Sequence, residues 1–587
     1  MFGKIVGIEN ERIRVENLSK KAEISLIGIH AVFLNNNMKF VGIIDNISSE
    51  YIDIMLIGEI KNDKFFAGNI KKPSLNSSCR IITKPELELI LGNQNFKNKN
   101  VLLVGNSEIY SDFKVTVDKN DFFSSHFAFL GNTGSGKSCG LARLLQNVFM
   151  EGCEADARNA HFVIFDAFND YASAFDYLNQ RQNLKFKNIN CNVSSSLENE
   201  TIKIPPYFLD VDDLAILLDV HTPDLMSIIA NTLRIAYIFT SADENVINYQ
   251  NSIIASSLQD ILSSGKSSTQ IRDQLIAVLT KFNTKDLNLE SIISQPGYDR
   301  TLRQCLLIDN QGKINAMNLV VDFLNSFIQK DMDNVEIMPG FVYTLDDLYK
   351  ALEFSLINEG ILSSADQSYD KLNSLKVRLR SIINSDLKKV FEFDNVISKI
   401  DYVENFFKIG NNENAQIVSI SFGDFDERTI KMLTKILSKI FFNYVTTLSN
   451  RGSFPIHIII EEAHRYVQND TDVEVIGYNI FERITKEGRK YGIFLGLITQ
   501  RPTELSKTVL SQCGNFMVFK MYHPDDVNIV TSLSTHVTQD LKEKLKTLHP
   551  GMALCFGNSF NTPLITQFEL PNPMPASTNV KVTDLWY

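Results

Sequence analysis

The segment Gly131-Asn-Thr-Gly-Ser-Gly-Lys-Ser138 constrains this chain more than any other. It fills every fixed position of G-x-x-x-x-G-K-[ST]. The residues before it, His126-Phe-Ala-Phe-Leu130, read as a short buried strand. Those after it, Cys139 to Phe149, place apolar side chains at helical spacing. A glycine-rich turn between a strand and a helix lets the backbone wrap closely, so that N–H groups converge at the positive end of the helix. A triphosphate is the ligand such a loop holds. Gly131, Asn132, Thr133, Gly134, Ser135, Gly136, Lys137, Ser138 and Cys139 are the expected cradle. Lys137 is expected to reach the β- and γ-phosphates, and the Ser138 hydroxyl to ligate Mg²⁺. These residues leave the choice between ATP and GTP open.

Several apolar runs end in polar residues. His161-Phe-Val-Ile-Phe165 ends in Asp166, and Ile456-His-Ile-Ile-Ile460 ends in Glu461-Glu462. Gly492 to Thr499 ends in Gln500, and Asn515 to Lys520 follows. Such runs suit a parallel sheet buried on both faces, with functional groups at the C-terminal strand ends. Hydrolysis needs a metal, an oriented water and stabilised transition-state charge. Glu461 is the candidate for Mg²⁺, and Glu462 for the general base. Gln500 is expected to sense the γ-phosphate and hold the water. Asp170, close behind Asp166, is a further acid that can approach the nucleotide. Phe481 to Tyr491 reads as a basic helix closed by Gly488. Arg489 is the first candidate, and Arg483 the second, for an arginine inserted at a neighbouring subunit's γ-phosphate. Lys486 and Lys490, or Lys542, Lys544 and Lys546, are candidates for DNA phosphate contacts, although charge runs are usually solvated faces.

At 587 residues the chain exceeds a single core, and roughly two to four domains are expected. Residues 1–97 alternate apolar and polar residues between turn signals, which predicts a small antiparallel barrel or sandwich, with a small β-barrel the preferred reading. Residues 98–204 carry the first part of an α/β core, and 411–560 the second. Residues 205–410 read as a mainly helical insertion, with Asp210 as an N-cap. Residues 561–587 read as a tail. The fold class is therefore α/β, a parallel-sheet core with an N-terminal barrel and a helical insertion. Cysteines number 7, without C-x-x-C pairs, which argues against a disulfide framework or zinc site. No run is apolar for the length of a bilayer and no secretory pattern opens the chain, so a cytoplasmic location is expected. The net charge of -11 disfavours coating DNA over a broad face, but not binding inside a lysine-lined ring.

Taken together, Ser125 to Ser138, Ile458-Ile-Ile-Glu-Glu-Ala-His464, Lys486-Glu-Gly-Arg-Lys-Tyr-Gly492, Thr499-Gln-Arg-Pro-Thr-Glu-Leu-Ser506 and Leu548-His-Pro-Gly-Met-Ala-Leu-Cys-Phe-Gly557 resemble the HerA family of hexameric DNA-translocating ATPases, relatives of the FtsK type. The resemblance implies a RecA-like core and ATP with Mg²⁺. It also implies a hexameric ring around double-stranded DNA and a C-terminal strap reaching the neighbouring subunit. The implied partner is an effector, a NurA-like nuclease or a sirtuin-like NADase, in DNA end processing or anti-phage defence. The sequence departs from the family pattern in three places. Asp166-Ala-Phe-Asn-Asp-Tyr171 stands where Asp-Pro-His-Gly-Glu-Tyr is usual. Ser125 replaces a basic residue, and Glu461 stands where Asp is frequent. A ring that only scaffolds its effector is the competing reading, and a signalling NTPase unrelated to DNA a third.

Overall fold

The computed structural model describes the chain except for residues 1, 19–25, 36–37, 69–70, 192–200, 221, 242, 296, 330–339, 363–365, 394, 411–412, 424, 470–471, 535–536, 538, 577–585 and 587. Contacts divide the chain into two compact units. The first comprises Met1–Thr201, Ser398–Asp470 and Asn479–Tyr587; the second comprises Ile202–Ile397 and Thr471–Tyr478.

The N-terminal strands are β1 (Phe2–Glu9), β2 (Arg12–Asn17), β3 (His30–Asn35), β4 (Met38–Ile47), β5 (Tyr51–Lys61), β6 (Lys64–Ala67) and β7 (Ser78–Ile81). They pair antiparallel in the order β1-β2-β5-β4-β3-β7, with β6 on β5. The closed barrel expected from the alternation is instead a curled half-barrel. Ile13, Val15, Phe33, Phe40 and Ile54 fill one face. Val32, Val41 and Ile57 on the other pack with Leu87, Ile90 and Leu91 of the helix Lys84–Leu91. A sheet with apolar side chains on both faces has a second layer to cover and no need to close on itself.

The remaining strands are β8 (Val101–Ser107), β9 (Lys114–Asp118), β10 (His126–Leu130), β11 (His161–Asp166) and β12 (Phe186–Asn190). Next come β13 (Ile292–Gln295), β14 (Tyr298–Thr301), β15 (Lys408–Ile409) and β16 (Glu413–Asn414). The last are β17 (Ile417–Ser421), β18 (Ile456–Ile460), β19 (Ile493–Thr499), β20 (Cys513–Phe519), β21 (Met552–Gly557) and β22 (Leu564–Gln567). One sheet runs β12-β17-β11-β18-β19-β10-β20-β21-β22-β8-β9. It is parallel from β12 to β20 and antiparallel from β20 to β9. The strands read from the sequence as a parallel core, β10, β11, β18, β19 and β20, pair in parallel, and an antiparallel extension makes the whole sheet mixed. The short links after β8 and β21 have no room for a crossover, so they join antiparallel neighbours. Helix Lys137–Val148 lays Leu141, Leu144 and Leu145 on this sheet.

The second unit is mainly helical and also contains the β13–β14 hairpin. Helix Val211–Leu217 is capped by Asp210, whose side chain accepts from the Asp213 N–H at 3.1 Å. Phe239, Phe282 and Phe354, from three helical segments, meet in a cluster with ring centroids 5.1–5.8 Å apart. Among the described residues, no helix is long and apolar enough to cross a membrane.

Besides His464, four histidines are buried in the first unit among the described residues. Each of His30, His126, His161 and His457 has its pKa lowered to about 4, with burial as the leading cause. His457, the polar break in β18, stacks between Phe162 and Phe494, with ring centroids at 4.9 and 5.1 Å. An unfolded histidine titrates near ~6.5, so between that pH and about 4 the unfolded chain binds more protons. Stability is therefore complete above pH ~7 and is lost as pH falls through this window, on the order of 1–2 kcal/mol per buried imidazole by pH ~5. Thermal melts between pH 7 and 5 are expected to show this fall, and His457→Phe to make it shallower.

Candidate functional site

The loop after β10 is suspended between two strands. The Gly131 N–H donates to the Thr499 carbonyl at the end of β19 at 3.2 Å. The Asn132 N–H donates to Lys520 O just past β20 at 2.9 Å. Gly131 has a φ of 151°, and a Cβ there would stand 2.7 Å from the Phe519 Cβ. Gly136 has a φ of 104°, and its Cβ would meet the Gly551 nitrogen at 2.8 Å. Both positions are closed to side chains on strain and on space. Gly136 caps the helix Lys137–Val148 with no side-chain hydrogen bond, so amide donors at the helix start remain for an anion.

Lys137 is buried and folds back, donating to the Asn132 carbonyl at 3.0 Å. Burial lowers its pKa, against the opposing pull of Glu462 and Glu461. The Ser138 Oγ donates to Glu461 Oε1 at 3.2 Å, joining the loop to the end of β18 across 323 positions of sequence. Tyr171, fully buried, points its hydroxyl at the same Oε1 from 3.5 Å.

Carboxylates crowd around this contact. Burial pushes the Glu461 carboxyl well above its usual range, and Asp166 and Asp170 add to the effect. Burial, then Asp166, raises Asp170 as well. Glu461 Oε2 is buried with no hydrogen-bond partner among the described residues. Buried like charges of this kind are relieved by a proton or a cation. The donor set of Ser138 Oγ and Glu461, with Asp170 nearby, is hard oxygen and fits Mg²⁺. Asp166 is itself fully buried and organises the loop after β11. It accepts from the Asp170 N–H at 3.1 Å, the Tyr171 N–H at 3.0 Å and the Ser419 Oγ at 3.4 Å.

Glu462 follows with φ 48° and ψ 44°, a left-handed conformation. Its Oε2 lies 3.3 Å from His464 Nδ1. Gln500 accepts a hydrogen bond from the Thr133 hydroxyl, so the end of β19 touches the loop through a side chain as well as through backbone. Cys139 is partly exposed, one residue into the helix after Lys137 and Ser138.

The structure thus brings the glycine loop, Ser138, Glu461, Glu462, Asp170 and Gln500 to one end of the sheet. It does not bring Arg489 there. Gly488 is in right-handed helical conformation and begins a short 3₁₀ turn, Gly488–Lys490, instead of ending the helix Ile480–Glu487 in a left-handed cap. Glycine is needed there because a Cβ would stand 2.5 Å from Ile493 O. Arg489 is exposed on this turn, at the start of β19 and a strand's length (~20 Å) from Gln500. Arg483 is engaged locally, 3.7 Å from Glu487 and over the Phe442 ring at 4.9 Å. Lys486, Lys542 and Lys544 are tied to Glu482, Asn528 and Asp540, while Lys490 and Lys546 are exposed. The tail packs on its own chain as far as residue 576. The Asn572 N–H donates to Gln146 Oε1 at 2.9 Å, and the Ala576 N–H to the Asp170 carbonyl at 2.7 Å. Of the expected strap or tail, 561–587, residues 577–585 and 587 lie outside the described residues.

Sequence reading gave no role to Tyr171, His464 or Thr499. Tyr171 and His464 stood inside quoted motifs, and Asp166 was marked only as a strand end. Lys137→Ala is expected to lose nucleotide binding with an unchanged melting temperature, measured by titration with a fluorescent ATP analogue.

Residues 102–328 match the family model described as Helicase HerA, central domain. The chain is 25% identical to the DNA double-strand break repair helicase HerA of Sulfolobus acidocaldarius over 49% of this chain and 60% of the relative. It is 23% identical to the Pyrococcus furiosus protein of that name, over 82% of this chain and 70% of the relative. With a probable helicase of Methanocaldococcus jannaschii it shares 23% identity over 94% of this chain and 84% of the relative. The chain therefore spans less than two thirds of the length of the first of these relatives. Among solved structures, the bacterial conjugative coupling protein TrwB aligns with 85% of this chain and 94% of its own, at 13% identity and a TM-score of 0.42. In the matched central region and across these relatives, the chain is similar to HerA helicases.

Proposed function

We propose that this chain is a Mg²⁺-dependent ATPase that assembles into a hexameric ring, translocates double-stranded DNA and works with an effector nuclease or NADase. The observation that carries the ATPase reading is the meeting of Ser138 and Glu461 at 3.2 Å, inside a buried carboxylate group that is electrostatically incomplete. The names of the relatives, DNA double-strand break repair helicases, support DNA as the polymer.

In this reading the loop amides and the helix start bind the phosphates. Lys137 exchanges the Asn132 carbonyl for the β- and γ-phosphates, which compensates its buried charge. Ser138 and Glu461 hold Mg²⁺, which when bound neutralises charge on the phosphate oxygens. Glu462 accepts the proton of the attacking water. Gln500, with Thr133, stands where the γ-phosphate is sensed. Arg489 cannot serve its own site from the opposite end of β19, so it acts on a neighbour's nucleotide.

Glu462→Gln is expected to retain ATP binding and lower hydrolysis by roughly 10²–10⁴-fold. Arg489→Ala and Lys137→Ala proteins, each inactive alone, are expected to regain hydrolysis when mixed, because mixed rings contain interfaces with both groups intact. Failure to regain activity removes the role across the interface. Wild-type protein that hydrolyses no ATP with Mg²⁺, DNA and its partner overturns the whole reading. The net charge of -11 favours one competitor, a ring that scaffolds the effector. Displacement of a triplex-forming strand from duplex DNA is expected of the motor and not of the scaffold.

A further inference from the structure

Glu462 occupies a backbone conformation that a side-chain-bearing residue rarely adopts, with φ at 48°. Such strain costs on the order of 1–3 kcal/mol and persists where the surroundings over-determine it. One side of those surroundings is the 3₁₀ turn Ala463–Arg465, closed by the Arg465 N–H on the Glu462 carbonyl at 2.9 Å. The other is a buried imidazole. His464 Nδ1 stands 3.3 Å from Glu462 Oε2 and 3.0 Å from Thr499 Oγ1. Glu462 Oε2 makes no hydrogen bond among the described residues; His464 Nδ1 stands against it at 3.3 Å, and Lys137 and Arg501 act on the carboxylate electrostatically. A carboxylate only accepts, so with hydrogen on Nδ1 that one N–H is shared between Glu462 Oε2 and the nearer Thr499 Oγ1.

Thr499 is no ordinary strand end. It is fully buried, and its hydroxyl also accepts the Arg501 N–H at 3.0 Å. Its carbonyl accepts from Gly131 of the glycine loop, and it pairs with Leu130 across β10 and β19. The next residue, Gln500, holds Thr133 of the same loop. An unbroken set of contacts therefore runs from the loop through the end of β19 and the imidazole to Glu462.

We propose that His464 is a positioning residue that holds the Glu462 carboxylate in its water-activating place and ties that place, through Thr499, to the phosphate loop. This rests on the ATPase reading above and deepens it. Nucleotide contacts that shift Thr133 or Gln500 shift Thr499 with them, and His464 passes the displacement to Glu462. The base is then aligned only when the loop is filled.

The test is steady-state ATP hydrolysis by the full-length protein with Mg²⁺ and duplex DNA, beside binding of a fluorescent ATP analogue. His464→Ala is expected to lower kcat by roughly 10- to 100-fold, with KM and analogue affinity within about twofold of wild type. His464→Asn, which keeps an N–H near the place of Nδ1, is expected to recover part of the loss. Thr499→Val is expected to mimic His464→Ala, and Thr499→Ser to be close to wild type. The double variant His464→Ala/Thr499→Val is expected to be no slower than the slower single variant, because both break one connection. An unchanged kcat in His464→Ala overturns the proposal. So does a parallel loss of nucleotide affinity, or fully additive effects of the two positions. If the alanine variant does not fold, His464→Asn and the Thr499 pair decide on the same criteria. Absence of hydrolysis in wild type would sink the ATPase reading instead.

Discussion

Buried negative charge at the end of β18 organises the core of this protein. Asp166 and Glu461 are buried with half-buried Asp170 beside them, and burial pushes Glu461 strongly towards its neutral form. A set of carboxylates costs several kcal/mol to bury without compensation. The Ser138 hydroxyl, the Tyr171 hydroxyl and the loop amides that bond Asp166 offset part of that cost. The compensation is incomplete at Glu461 Oε2, which is buried without a hydrogen-bond partner among the described residues. Glu462, and after it Glu461, oppose the effect of burial on the charge of Lys137.

Strand order turns that charge into a site. The loop strand β10 and the acid strand β18 are not adjacent; β19 lies between them. A strand so placed touches both, and its last residues do so with separate groups. The Thr499 carbonyl and Gln500 side chain face the loop, and the Thr499 hydroxyl faces His464. The opposite end of the same strand follows the turn bearing Arg489. One strand thus runs from the glycine loop to the turn that carries the exposed Arg489 at its other end.

Local chemistry was legible in the sequence because it is local. Gly131 to Ser138 needs no partner to be recognised, and Glu461-Glu462 after an isoleucine run marks a strand end without knowledge of its neighbours. The same holds for Asp210 as a cap. Pairing was not legible. Nothing within Val101–Ser107 says that it joins β22 at an antiparallel edge, since sheet partners are chosen by chain connectivity and by faces buried elsewhere. Alternation in residues 1–97 showed strands, but closure depends on whether a helix covers the second face, as Lys84–Leu91 does. Gly488 looked like a helix terminator because glycine most often serves there; its actual reason is the nearness of Ile493 O, a contact visible only in three dimensions. Tyr171 and His464 escaped for a related reason, because a buried polar side chain declares its role only through what it meets.

The suspension of the glycine loop has a consequence for biosynthesis. Its two anchoring carbonyls belong to Thr499 and Lys520, and the acid it meets is Glu461, all made long after residue 131 leaves the ribosome. Through most of translation the loop has the residues of a nucleotide cradle but neither the backbone acceptors that shape it nor the acid that completes it. Contacts of such high sequence separation form slowly and late. The loop therefore takes its folded shape only when nearly the whole of β10 to β20 has emerged and closed.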